Sequence, residues 1–324
     1  MSLLLKMVLM LLFCQPVYAI DKVNILYNES NISSRLFKKQ LIKALRSYDI
    51  DYAISDLDRV TDVHFDEQQN NETIFITLGS KALYATWKKF SNKKIFSLLV
   101  SQEKIKKITA SSPYANQLYG LYLEQSLNRQ LLLAQQLIPG IHSIGFLTTP
   151  DNFAELQKQL TYSPIDAAFE IQTVRDQKSL GRALSYIIQT SELLITLAKP
   201  EIYNRSSLRN ILLSSYRNNI PLIGLNKAFV DAGCLAAVYT KSEQFAQETA
   251  GIVNKAIVGG TLAKINYAKY YKVSLNHKVA RSLGLYLQSE EKILSVMHLK
   301  LEEGFQPAEG SKQAEGSKPA EGSK

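Results

Sequence analysis

The sequence predicts an α/β protein made of two doubly wound parallel-sheet lobes sharing a hinge. Three observations carry this. Short β-rich runs alternate with amphipathic helical stretches from residue 24 to residue 225, the pattern of parallel sheets with helices on both faces. The alternation falls into two runs that meet near residues 119–125, which predicts two similar lobes. The last third adds more helix and strand signals after the second run; these return to complete one or both lobes, and repeated crossings make a hinge.

In chain order, residues 24–27 predict a strand. Residues 34–48 carry Leu36, Phe37, Leu41, Ile42 and Leu45 at helical spacing. Strands follow at 52–55 and 73–78, a helix at 80–90, and strands at 95–100 and 117–123. A long helix at 126–137 is stopped by Pro139-Gly140. The second run predicts strands at 143–148, 167–174, 193–197, 222–225 and 235–239. Its helices fall at 151–160, 177–189 and 206–218. Between the last two strands the segment LNKAFVDAG sets Asn226, Lys227, Asp231 and Gly233 at a strand end. A helix at 242–258 ended by Gly259-Gly260, a strand at 270–275 and a helix at 276–285 close the folded part.

This divides the chain into an N-terminal lobe (20–120 with part of 240–288) and a C-terminal lobe (121–240 with part of 240–288). A helical extension (289–306) carries Ile293, Leu294, Val296, Met297 and Leu299, which pack on a lobe or meet a partner. The units PAEGSK, QAEGSK and PAEGSK at 307–324 lack any apolar group larger than alanine, a composition that predicts disorder.

At the other end, Lys6 precedes an apolar run at 7–13, and Val17-Tyr18-Ala19 offers small residues to a signal peptidase. That run is too short for a permanent membrane anchor. The expectation is an export signal at 1–19, cleaved near Ala19, and a periplasmic mature protein. Cleavage would remove Cys14 and leave Cys234 alone, so stability must come from packing. The ~285 remaining folded residues fit two domains of ordinary size.

The formal charge is +9. Its lysines are scattered (Lys38-Lys39, Lys88-Lys89, Lys93-Lys94, Lys104 with Lys106-Lys107), the signature of a solvated face more than of a nucleic-acid stripe. No nucleic-acid partner is expected, and a monomer is. The four histidines show no metal-ligand spacing. Cys234 sits among small apolar residues as a packed thiol would, and no G-x-S-x-G elbow or phosphate loop is present. The sequence therefore predicts neither an enzyme nor a cofactor.

Open α/β sheets bind ligands beyond the carboxyl ends of their strands. Those positions are Gly79, Ser80 and Lys81, then Ser101 with Gln102, in the first lobe. In the second they are Thr148 with Thr149, Lys199, Asn226 and Asp231, while Tyr122 and Glu124 lie at the crossing. Gly79-Ser80 opens a helix, where free N–H groups favour an anion; a plain serine cap uses the same hydroxyl. Tyr122 serves equally as cleft floor or hinge packing.

The segment IPLIGLNKAFVDAGCLAAVYTKSEQFAQETAGIV (220–253) resembles bacterial ABC-transporter substrate-binding proteins of the tryptophan/tyrosine-binding-like group. ITLGSKAL (76–83), GLYLEQSLNRQLLLAQQLIPGIHSIGFL (120–147), LAKPEIYNRSSLRNILLSSYRNNIPLIG (197–224) and YKVSLNHKVARSLGL (271–285) add to it. The resemblance implies a type I periplasmic binding protein: two α/β lobes, a three-crossing hinge, and a ligand trapped by closure. It implies an anion-binding loop at Gly79, Ser80 and Lys81, with Ser101, Tyr122, Lys199, Asn226 and Asp231 around the ligand. The family's Asp-Pro after the fourth strand is Ser101-Gln102 here, and Glu124 stands where relatives often have Asp. The implied function is capture of an amino acid or related small anion for an ABC permease. The other reading open to the same fold is a sensor that signals to a membrane receptor.

Overall fold

Five short apolar segments form the first sheet: β1 (Lys22–Tyr27), β2 (Tyr52–Asp56), β3 (Thr73–Leu78), β4 (Lys94–Val100) and β5 (Leu118–Tyr122). The structure, a computed structural model, describes residues 22–58, 73–115, 118–262 and 264–304. The expected export signal and repeat tail lie outside the described residues. The strand order is β2-β1-β3-β4-β5, every pair parallel. β3, TIFITL, is buried along its whole length, as expected of a strand covered on both faces. Alternate side chains feed two cores. Ile25 joins Leu41 and Ile76 on one face, while Leu26 joins Leu83, Trp87 and Ile95 on the other. The covering helices are α1 (Ile32–Arg46), α2 (Ser80–Phe90) and α3 (Gln102–Thr109).

The second sheet repeats the plan. Helix α4 (Leu127–Leu137) leads into β6 (Ser143–Thr148), a 3-10 turn (Pro150–Asn152), α5 (Phe153–Leu160), β7 (Ala168–Thr173) and α6 (Gln177–Thr190). Next come β8 (Leu193–Ile195), α7 (Arg205–Arg217), β9 (Leu222–Gly224), α8 (Lys227–Ala232) and β10 (Ala236–Tyr239). Helix α9 (Ser242–Ile257), β11 (Lys272–Leu275), α10 (His277–Ser282) and α11 (Glu290–Gly304) end the described chain. The order is β11-β10-β9-β8-β6-β7, parallel except for the antiparallel edge strand β11. Phe146 and Leu147 point into separate cores on its two faces.

The chain crosses between lobes three times. It leaves the first after β5. It returns as α9, whose Phe245, Ala246, Ala250 and Val253 pack with Phe37 and Leu41 of α1; the Phe37 and Phe245 rings meet edge-on at 5.6 Å. Lys264 and Asn266 then bridge to Tyr119 and Leu121 of β5 before β11 joins the second sheet. Side chains tie the crossings together. Gln125 Nε2 donates to Thr240 Oγ1 (2.8 Å), and Thr240 Oγ1 donates to the Tyr270 carbonyl (2.7 Å). One guanidinium nitrogen of Arg129 donates to Gln125 Oε1 (2.7 Å) and to the Ala268 carbonyl (2.6 Å), and the guanidinium lies 4.2 Å from the Tyr271 ring centre.

Two backbone features shape the approach to the hinge. Gly120 has φ +135°, and a Cβ there would lie 2.1 Å from the Ser97 carbonyl oxygen, so only glycine fits. Opposite it the β4–β5 register shifts between Ser97 and Val100, and Leu99 takes φ +60°, a conformation that costs a leucine roughly 1 kcal/mol or more.

The structure adds two helices that periodicity did not disclose. In α3, QEKIKKIT, only Ile105 is buried, too little apolar surface to register as a pattern. α8 is a six-residue helix within what reads as a polar loop, capped by Asn226 Oδ1 and ended by Gly233 at φ +126°. The expected strands at 193–197 and 270–275 are shorter, stopping at Ile195 and starting at Lys272. Of the two readings of the extension, packing holds for Ile293 and Met297, both fully buried in the second lobe's core; Leu299 stays exposed.

Because Arg129 makes charge-assisted bonds to one crossing and beside another, Arg129→Met should destabilise the protein by about 2–3 kcal/mol and lower its urea midpoint. A midpoint within error of the parent would show that the crossings hold without it.

Candidate functional site

The carboxyl ends of both sheets face a cleft between the lobes, and the local sequence explains what reaches it. After β4, Ser101 caps α3 by accepting from the Lys104 N–H (3.4 Å). The next residue, Gln102, donates its N–H to Glu124 Oε1 (2.8 Å). Helix α3 then projects Glu103, Lys106 and Lys107 towards the second lobe. From that lobe come Asp151 and Glu155, around the start of α5, and Lys199, beyond β8.

These charges pair across the cleft. Lys106 Nζ meets Glu155 Oε1 at 2.7 Å, and Lys107 Nζ meets Asp151 Oδ2 at 2.8 Å while also bonding Glu103 at 2.7 Å. Lys199, buried with only 5% of its side chain exposed, pairs with Glu103. Gln159 adds a weaker bond to Gln102 (3.4 Å). Burial pushes the Glu103 carboxyl up, but the Lys107 and Lys199 ammonium groups outweigh it and hold it below the usual range. The hydrogen bond from Lys107 lowers Asp151 to about 2. The exposed pairs are each worth a fraction of a kcal/mol; jointly they bias the lobes towards each other.

The cleft has two chambers that share Glu124, Gln125 and Ala198 as a common wall. The smaller, about 330 Å³, holds the charge pairs together with Gln130 and Tyr267. The larger, about 580 Å³, is lined by Phe37, Leu99, Leu123, Leu225 and Phe245, with Asn226, Lys227 and residues 239–243 at its polar side. Apolar walls with a few placed polar groups characterise small-molecule sites.

Ser101 and Lys199, expected at the site, line the smaller chamber, and Asn226 lines the larger. Tyr122 lines neither; it packs at a tilt against Tyr267 (5.0 Å between ring centres), which lines the smaller chamber. The loop Gly79-Ser80-Lys81 is outside both chambers. Gly79 N–H donates to the Leu98 carbonyl, and Lys81 pairs with Asp58 at 3.0 Å. The Asp58 carboxylate also accepts from Asn28 Nδ2, Ser30 N–H and Ser30 Oγ, so Lys81 is paired with a carboxylate of its own lobe. Thr148 is fully buried and accepts from Asn152 Nδ2 (3.0 Å). Asp231 pairs with Lys227 (2.7 Å) on the exposed side of α8. Cys234 is buried, which pushes its thiol up to about 12, a packed rather than reactive sulfur.

Sequence reasoning missed Glu103, Lys106, Lys107, Asp151 and Glu155. The lysines of α3 read as a solvated face, whereas they reach the opposite lobe. The one available signal was the Glu103–Lys107 spacing of four residues, a helical pair.

Comparison with known proteins agrees with this architecture. The family model described as "ABC transporter substrate binding protein" matches residues 39–298. The chain belongs to the ABC transporter substrate-binding protein family. Among solved structures, it is similar to a conserved domain protein from Vibrio cholerae (16% identity, 85% of this chain and 98% of that one, TM-score 0.57). It is also similar to an ABC domain in complex with L-Trp from a Streptococcus (16%, 85% and 97%, 0.56). A third is a substrate-binding protein with adhesive properties from Clostridium difficile in its ligand-free, open form (14%, 84% and 97%, 0.64). These similarities show the fold. No match is found among curated proteins.

Replacing Lys106 and Lys107 together by alanine removes two of the three inter-lobe ion pairs among the described residues. Small-angle scattering should then report a larger radius of gyration, and about 1 M salt should enlarge the parent protein similarly. An unchanged radius in both cases would show that these pairs do not hold the lobes.

Proposed function

We propose that the protein captures a small solute in the cleft by hinge closure and delivers it to an ABC permease after export to the periplasm. Family membership makes this the expected role, and the observation that supports it best is a two-chamber cleft whose walls come from both lobes. A ligand touching both lobes favours the closed arrangement. Ser101, Lys199 and Asn226 are the expected residues that act there, backed by Tyr122. The protein works as a monomer and carries out no chemistry on its cargo. An amino acid fits the dimensions, and the solved relative holding L-Trp makes aromatic amino acids the first candidates. A sensor using the same closure would bind its ligand equally but engage a receptor in place of the permease.

The test is a thermal-shift screen of amino acids, amines and small anions. A ligand at a hundredfold excess over its Kd should stabilise the fold by about 2.7 kcal/mol, seen as a clear rise in Tm. A broad panel that leaves Tm unmoved would contradict solute capture. Binding without co-purification of a permease from the native membrane would favour the sensor.

A further inference from the structure

The smaller chamber has a charge imbalance that its own residues do not resolve. Four carboxylates stand in its wall, Glu103, Glu124, Asp151 and Glu155, against three lysines, Lys106, Lys107 and Lys199. Each lysine is engaged: Lys106 with Glu155, Lys107 with Glu103 and Asp151, Lys199 with Glu103. Among the described residues Glu124 makes no ion pair. Its Oε1 takes the Gln102 N–H, while its buried Oε2 accepts no hydrogen bond. Gln130, 5% exposed in the same wall, also holds a buried Oε1 without a donor. A buried acceptor left unmade costs on the order of 1–3 kcal/mol, more for a charge. Two of them in residues that line one chamber call for a donor that the described residues do not supply.

We propose that the captured solute carries a cationic nitrogen, an ammonium or amidinium group, which Glu124 and Gln130 accept in the smaller chamber. The inference rests on the solute-capture reading and specifies its cargo. This cargo differs from the small anion that the Gly79–Lys81 loop suggested, a loop that lines neither chamber and whose Lys81 pairs with Asp58. A cation supplies the missing charge and N–H donors together, and charge-assisted bonds are the stronger kind. Burial raises the Glu124 carboxyl above its usual range, and a cation placed beside it shifts it back towards the ionised form. The common wall also lets an apolar body extend from the smaller chamber, past Glu124, into the larger one.

The test measures thermal shift and Kd for matched pairs that differ at the nitrogen: phenethylamine against phenethyl alcohol, cadaverine against 1,5-pentanediol, and L-tryptophan against indole-3-propionate. Amine members should bind and their partners should not. Glu124→Gln preserves shape and the bond from Gln102, and should weaken amine binding by about tenfold or more. Gln130→Leu should weaken it less, and unfolding midpoints of both variants check that they fold. Nitrogen-free partners binding as tightly, or an unchanged Kd in folded Glu124→Gln, would overturn the proposal. Binding of acids alone would overturn it while leaving solute capture standing. Silence across these pairs and the wider screen would remove both.

Discussion

Everything in this structure depends on three chain crossings held by a few polar side chains. The Gln125–Thr240–Tyr270 relay and the Arg129 guanidinium join segments far apart in sequence at one place between the two sheets. Each sheet is rigid because apolar side chains fill both of its faces. Motion is therefore directed to the crossings. Gly120 lies two residues before the end of β5, where no Cβ fits.

The cleft follows from that geometry. Strands of both sheets end towards it, so the residues after them meet there. One side carries charges that pair across the gap, and the other carries phenylalanines and leucines. Glu124 and Gln125 stand between. The crossings and the shared chamber wall are thus formed by neighbouring residues, with Gln125 tying the crossings and Glu124 lining both chambers. Under the proposed capture of a solute, a group bound at Glu124 would sit beside these crossings.

The fold was largely legible because long buried strands such as TIFITL and SIGFLT cannot hide their composition. The return of α9 to the first lobe was foreseen only as a crossing, since nothing local says which lobe receives Phe245. The site was less legible. Ser101, Lys199 and Asn226, reached by asking which polar residues follow strands, line the chambers, whereas Gly79–Lys81, Thr148 and Asp231, reached by the same rule, line neither. A strand-end group stands apart from the chambers where it is paired inside its own lobe, as Lys81 is with Asp58 and Asp231 with Lys227. The rule overlooks residues one helix turn beyond the strand. Lys106, Lys107 and Glu155 act through inter-lobe distances, which no single-chain periodicity encodes.

The central claim is that occupancy of the cleft draws the lobes together about this hinge. It is tested most directly by the distance between spin labels on Lys104 of α3 and Lys158 of α5, exposed positions on opposite lobes, measured with and without a bound solute. The account predicts a spread of distances in the free protein that collapses to a single short one on saturation. A distribution that stays the same while the solute is demonstrably bound would contradict it.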